Sequence, residues 1–400
     1  MENIYERLGV RTIINAAGPT TRLSGALIPE EVAETMREAS QFCVDMAELQ
    51  AEAGRLIAEL TGAESGYVTS GAAAGLMLGT AACVAGLDPG KMNRLPDTEG
   101  MKNEVIIPRS HRNFYDHAIR SVGVTLVEVG ISDRFSGAGV RDTEAWEIAD
   151  AITERTAGIA YVANSHARPP LPEVTAVGRE HGVPVIVDAA GQLPPVENLK
   201  RFIEEGADLV CFSGGKAIQG PQGTGILCGR RDLISSAALQ QMDQDVLFEL
   251  WEPPTSLIDK STLPGGPQHG VGRPCKVGKE QIVGLMVALK RFVEEGDESR
   301  QSAWREPAEE LVKEMEGLPH ATSQTGLNRS VPIVTLILDE TAGMTGVELA
   351  RQLMSGEPSI HVNTAQVYEG VLVFNPMCLR EGDVQAIGKR LRDVLGKIPG

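Results

Sequence analysis

DLVCFSGGKAIQGPQGTGILCG, residues 208–229, sets one lysine, Lys216, on a glycine-rich loop between two short apolar runs. Apolar runs of four or five residues bounded by glycines read as strands. A lysine between them leaves the surface, and beside a cationic group its amine loses protons readily and can form an imine with a carbonyl compound. A phosphate-binding P-loop uses similar residues, but Val210 stands where its first glycine is required and Ala217 where its serine or threonine is required. A solvated loop lysine is the other reading of this stretch taken alone.

Moving outward, Asp188 closes VPVIVDAAG, 28 residues before the lysine. Open α/β sheets place ligand-binding groups at strand ends, and a carboxylate at that depth needs a cation or donor to offset its desolvation. A protonated pyridine nitrogen fits that need, and a capping or metal-binding aspartate is the alternative. Earlier still, Ser70-Gly71-Ala72-Ala73-Ala74-Gly75 follows an apolar run and opens a helix of small residues. Unpaired backbone N–H groups at such a helix start, with the helix dipole and the Ser70 hydroxyl, make a phosphate seat, although small residues at this kind of turn also serve packing. The order carries more than any one of the three: phosphate turn, strand-end acid, lysine on a glycine loop.

Short β-branched runs at residues 66–69, 104–108, 124–129, 158–163, 184–188 and 209–212 alternate with helical periodicity at 72–84 and 173–181. That alternation predicts an α/β protein with a mostly parallel sheet. Residues 251–274, rich in Pro, Gly and Thr, read as a loop. A helix over 279–295 precedes helices at 307–315, 346–354 and 383–395 and strands at 333–338 and 371–374, a small C-terminal α+β domain. The expected division is an N-terminal arm at 1–48, a large domain at 49–295 and a small domain at 296–400.

The 400 residues are 42% hydrophobic and 23% charged, with a formal net charge of −17. That charge repels a phosphate backbone on average and disfavours nucleic acid as a partner. Cys43, Cys83, Cys211, Cys228, Cys275 and Cys378 show no C-x-x-C pair and no nearby histidine cluster, so no metal site is expected and the thiols read as reduced, in a cytoplasmic protein. No apolar run suggests a signal peptide or membrane anchor.

On INAAGPTTRLSG, ELTGAESGYVTSGAAAG, PRSHRNFYDHAIRSVG, VPVIVDAAGQLPP, SGGKAIQGPQGTG and GRPCKVGKEQIVGL, the chain resembles the fold-type I (aspartate aminotransferase-like) enzymes that use pyridoxal 5′-phosphate (PLP). Within them it resembles the selenocysteine synthase (L-seryl-tRNA selenium transferase)-like group that includes D-glucosaminate-6-phosphate ammonia-lyase. The resemblance implies that Lys216 carries PLP as a Schiff base and that Asp188 holds the pyridine nitrogen. It also implies that Ser70, Gly71 and Ala72 contact the phosphate, that Ser213 adds a hydroxyl, that Ala190 lies against the cofactor, and that His111 stacks over the ring. An imidazole there can also shuttle protons. Such sites usually lie between subunits, so a homodimer or higher homo-oligomer is implied. The family core begins almost at Met1, without the N-terminal RNA-binding region of selenocysteine synthase; with the acidic balance this argues against seryl-tRNA as substrate.

An amino acid substrate brings a carboxylate, for which a bidentate arginine is the natural clamp. Arg22, Arg168 and Arg273 lie in family-like loop segments; Arg380 and Arg112 are weaker candidates. The expected reaction on a sugar amino acid such as D-glucosaminate or its 6-phosphate has Lys216 remove the Cα proton. Loss of the β-hydroxyl and hydrolysis then give a 2-oxo-3-deoxy acid and ammonia. His111, His166 or His269 could serve as the general acid. Racemisation, β-replacement and retro-aldol cleavage would use the same cofactor residues, and a selenium transferase or a non-catalytic homologue are the more distant readings.

Overall fold

Seven runs of mainly apolar, β-branched residues form one sheet in the computed structural model, which describes residues 3–132 and 141–397. They are β1 (Ser65–Thr69), β2 (Glu104–Pro108), β3 (Thr125–Val129), β4 (Thr156–Val162), β5 (Val185–Asp188), β6 (Leu209–Ser213) and β7 (Gly225–Gly229), in the order β1-β7-β6-β5-β4-β2-β3. Pairing is parallel except on the two sides of β7, which runs against both β1 and β6. The mostly parallel α/β sheet expected from the sequence is present. Its inner strands β5, β6 and β7 are almost wholly buried, which is why they read as continuous apolar runs rather than alternating ones.

Two helices pack on this sheet, the first on β1 and the second across β4, β5, β6 and β7. Helix α1 (Met46–Thr61) starts where the Asp45 carboxylate accepts the N–H groups of Ala47 and Glu48 and ends at Gly62, φ 72°. Gly54 on its inner face is obligatory, because a Cβ there would lie 2.3 Å from the Gly66 carbonyl oxygen. Helix α2 (Ala72–Ala85) is buried on nearly every side. Its small residues permit that: a Cβ on Gly75 or Gly79 would press at 3.2 Å on Cys211 Sγ or 3.1 Å on Leu209 Cδ1. Fully buried Leu78, Ile107, Ile186 and Leu227 anchor this core, each worth about 1.5–3 kcal/mol relative to exposure.

Contacts divide the chain into two units, Ile28–Val293 and Met1–Leu27 with Glu294–Gly400. The stretch read as an N-terminal arm, 1–48, therefore contributes to both. In the second unit Ile13–Ala16 pairs in parallel with Ser359–Val362, and an antiparallel sheet has the order 371–374, 331–338, 321–328. Leu311, Leu336, Leu353, Ile360, Phe374 and Leu391 form its core. The strand Ala321–Asn328 has no counterpart in the sequence reading, because its residues are mostly polar and exposed. The helix Lys279–Met315 contains a non-helical residue, Gly296 at φ 71° and ψ 171°, where the sequence suggested two separate helices.

Candidate active site

The carboxyl ends of β1, β4, β5 and β6 bring the three sequence signals together. Asp188 is the last residue of β5, in register with Val162 of β4 and Cys211 of β6. Gly225 pairs with both Thr69 and Ser213, and so joins the end of β1 to the end of β6. A Cβ on Gly225 would lie 2.4 Å from the Gly71 carbonyl carbon and 2.5 Å from the Ala72 nitrogen. The glycine of GTG is thus the space into which the 70–72 turn settles.

At that turn Gly71, φ 88°, precedes α2 with no side-chain cap, leaving the first N–H groups of the helix available to an anion. The Ser70 hydroxyl donates to the Cys275 carbonyl at 2.7 Å, an oxygen that also accepts Gln241 Nε2 at 2.8 Å. Tyr67 completes this chain by donating to Gln241 Oε1 at 2.5 Å. Tyr67, Gln241 and the Cys275 carbonyl escaped the sequence reading. A glutamine inside a helix has no local signature, and only the fold brings residues 67, 241 and 275 together.

Asp188 accepts the Ala190 N–H at 3.0 Å. Burial pushes its carboxyl above the ordinary value, while the Ala190 bond and the charge of Lys216 oppose the rise. Lys216 is half-buried, and its Nζ lies 4.0 Å from where a Cβ on Gly191 would stand, placing the amine over the DAAG turn that follows Asp188. A buried carboxylate beside one amine, next to an uncapped helix start, fits a cationic heteroaromatic ring bearing an aldehyde and a phosphate.

His111 follows β2 and is 2% exposed. Its Nδ1 accepts the Val162 N–H at 3.2 Å, and its ring meets Tyr161 edge-on at 4.7 Å between centroids. Burial lowers its pKa to about 4, the Arg168 carbonyl partly opposing. Nε2 is buried with no partner in good hydrogen-bond geometry, the Arg168 carbonyl being an acceptor that approaches the ring. His111 and Asp188 line one small cavity with Leu76, Ile107 and Asn113.

The other candidates are scattered. Arg168 is exposed. Arg273 is 28% exposed and pairs with Asp243; Arg112 is held by Asp116 and Glu128. His269 lies 3.6 Å from Asp245 and 3.9 Å from Asp243, and His166 is exposed. Arg22 and Arg380 belong to the second unit, where Arg22 lies close enough to His361 to disfavour its charge. Arg273 also lines a cavity of about 690 Å³ with Tyr67, Gln241, Trp251, Lys276 and Lys279.

The family model SelA, described as L-seryl-tRNA selenium transferase, matches residues 13–247. The chain belongs to this family. Among SelA-related proteins, it is 34% identical over 405 residues to a 5′-C-glycyluridine monooxygenase-decarboxylase from Streptomyces sp, covering 98% of this chain and 92% of that one. It is 30% identical over 402 residues to a D-glucosaminate-6-phosphate ammonia lyase from Salmonella typhimurium, covering 98% of each. The solved structure of a D-glucosaminate-6-phosphate ammonia-lyase superposes with a TM-score of 0.79 at 27% identity, covering 99% of each chain. The fold is accordingly fold-type I, aspartate aminotransferase-like, and the protein is a PLP-dependent enzyme.

Proposed function

We propose that the protein is a PLP-dependent lyase that eliminates water and ammonia from an amino sugar acid, D-glucosaminate or its 6-phosphate, to give a 2-oxo-3-deoxy acid. The observation that carries this reading is the placement of Asp188 at the end of β5 with the Lys216 amine over the DAAG turn that follows it. The full-length likeness to an enzyme named for ammonia-lyase chemistry on D-glucosaminate 6-phosphate points the same way.

When bound, PLP supplies an electron sink for the charge that develops at Cα. The backbone N–H groups of Gly71, Ala72 and the next turn of α2 would hold its phosphate, and Ser213, at the end of β6, pairs with the Gly225 against which that turn settles. Ser70 joins them only by giving up its bond to Cys275. Asp188 keeps the ring nitrogen protonated, with Ala190 orienting the carboxylate through its N–H. Lys216 is the covalent attachment point and then the base: it takes the substrate's Cα proton, and the β-hydroxyl departs with a proton from a general acid. Hydrolysis of the released enamine returns one water and frees ammonia. Arg22, Arg168 and Arg273 remain the candidate carboxylate clamps; Arg273 fills that role by exchanging Asp243 for substrate.

The reading includes a cytoplasmic homodimer or higher homo-oligomer acting on small molecules and not on nucleic acid. It is supported by six unpaired cysteines and a net charge of −17. Among the described residues no helix is long and apolar enough to cross a membrane.

A second reading is favoured by the 34% identity to the monooxygenase-decarboxylase: oxygen-dependent decarboxylation of an α-amino acid by the same cofactor residues. Incubation of purified enzyme with amino sugar acids and glycyl nucleosides separates the two. The lyase releases ammonia and 2-oxo acid under nitrogen. Oxygen uptake matched by carbon dioxide release overturns the lyase reading, and α-proton exchange or inversion alone replaces it with a racemase.

A further inference from the structure

Two donors meet on one carbonyl beside the phosphate turn. The Cys275 oxygen accepts the Ser70 hydroxyl at 2.7 Å and Gln241 Nε2 at 2.8 Å. A carbonyl can only accept, so the nitrogen of the Gln241 amide must face it and the amide oxygen must face Tyr67, whose hydroxyl donates at 2.5 Å. Tyr67 is wholly buried and Gln241 is 5% exposed, so both side chains are shielded from water. The carbonyl itself is placed without help from Ser70. The Cys275 N–H donates to the Gly272 carbonyl at 2.9 Å, and the Gly272 N–H donates to the Gln240 carbonyl at 3.0 Å, at the end of the helix Arg231–Gln241. A Cβ on Gly272 would lie 2.3 Å from Leu78 Cδ2 of α2, so this loop is seated on two helices.

The Ser70 hydroxyl has one proton, and it is committed to Cys275 although Gly71, which opens the uncapped start of α2, is the next residue. An anion seated at that helix start draws the proton, because a charged acceptor outcompetes a neutral carbonyl. A part-buried carbonyl left unpaired would oppose the move. Gln241 removes that opposition, since its own bond to the same oxygen persists. We propose that Gln241, its amide direction set by Tyr67, is a positioning residue that keeps the Cys275 carbonyl paired and so releases the Ser70 hydroxyl to the cofactor phosphate. The identity of the anion rests on the PLP reading. The proposal requires a coupling between residues 241 and 70 that a merely structural glutamine does not produce.

The test is a double-mutant cycle on the purified protein, with PLP affinity read by absorbance titration. Q241L is expected to weaken PLP binding about tenfold in the wild-type background and by less than about twofold in S70A, where no hydroxyl has to be released. Pyridoxal, which lacks the phosphate, should bind Q241L and wild type alike. Equal losses in both backgrounds, or no loss in either, overturn the proposal, as does an equal loss for pyridoxal. Y67F keeps the buried ring and leaves the amide oxygen without its donor. It is the milder variant, about threefold weaker for PLP and again indifferent in S70A, and it decides the matter should Q241L not fold. If borohydride leaves Lys216 unlabelled after incubation with PLP, the cofactor reading fails. The same cycle with inorganic phosphate, read as the shift in melting temperature, then decides by the same pattern whether Gln241 governs Ser70.

Discussion

Two regions of the large unit hold polar side chains around a cavity, and they differ in how those groups are compensated. At the carboxyl edge of the sheet, Asp188 is fixed by strand register and His111 by the bond from the Val162 N–H, and burial shifts both toward their uncharged forms. Around the larger cavity two lining cations have partners, Arg273 with Asp243 and Lys279 with Glu280, and cavity-lining Glu252 is paired with Lys260. Buried acids and bases pressed toward their uncharged forms mark where a ligand of matching charge would gain most, whereas paired surface charges are close to neutral in energy.

The sharpest break is at Lys216. Replacing it with alanine is expected to lower turnover by about 10³-fold or more and to abolish borohydride-fixed pyridoxyl label on the chain. Turnover close to wild type would remove the strand-end cavity from the chemistry altogether.

His111 gives a pH signature. Its folded pKa, about 4, lies below the ordinary value of 6.5, so the unfolded chain binds a proton that the folded one refuses. The stability this group contributes is complete above pH 6.5 and is lost as pH falls toward 4, by about 3 kcal/mol. Denaturant titrations of wild type and H111Q across that range should converge at low pH and separate at neutral pH. Parallel curves would mean the ring is not held neutral.

Asp188 shifts the other way. Its raised pKa means that the cofactor-free protein is more stable when the carboxyl is protonated, an advantage lost as pH rises through the folded value. D188N should therefore stabilise the apoprotein at pH 8 while lowering turnover about 10²-fold. An apoprotein destabilised by this change would show that the carboxylate already has full compensation from Lys216.

The smaller effect belongs to the larger cavity. R273A should raise KM for a carboxylate substrate about tenfold with kcat little changed, and D243N should lower KM by releasing the arginine. Equal KM in all three proteins would leave the pair as a surface contact and return the clamp to Arg22 or Arg168.

The fold and the positions of the candidate site residues were legible because they lie on short-range pattern. Alternating strands and helices announce a parallel sheet, and the lysine loop, the strand-end acid and the small-residue turn each occupy a few consecutive positions. The polar strand Ala321–Asn328 was not legible, since its partner supplies all of its ordering. The tie of Ser70 to Cys275 was equally hidden, because hydrogen bonds across 205 residues leave no local periodicity. The same holds for Arg273, whose loop context suggested a clamp and whose guanidinium is met by Asp243 across 30 residues.

What the sequence by itself determined is where Lys216, Asp188 and the 70–72 turn lie: backbone propensity and apolar spacing are local, so they place these residues at strand ends without further information. What only the tertiary structure decided is the state of those residues. The seating of His111 against Val162, the opposed pressures on the Asp188 carboxyl and the engagement of Arg273 depend on which distant backbone or side chain each atom meets. Electrostatic and hydrogen-bond energies are set by those distances and by burial, not by position along the chain.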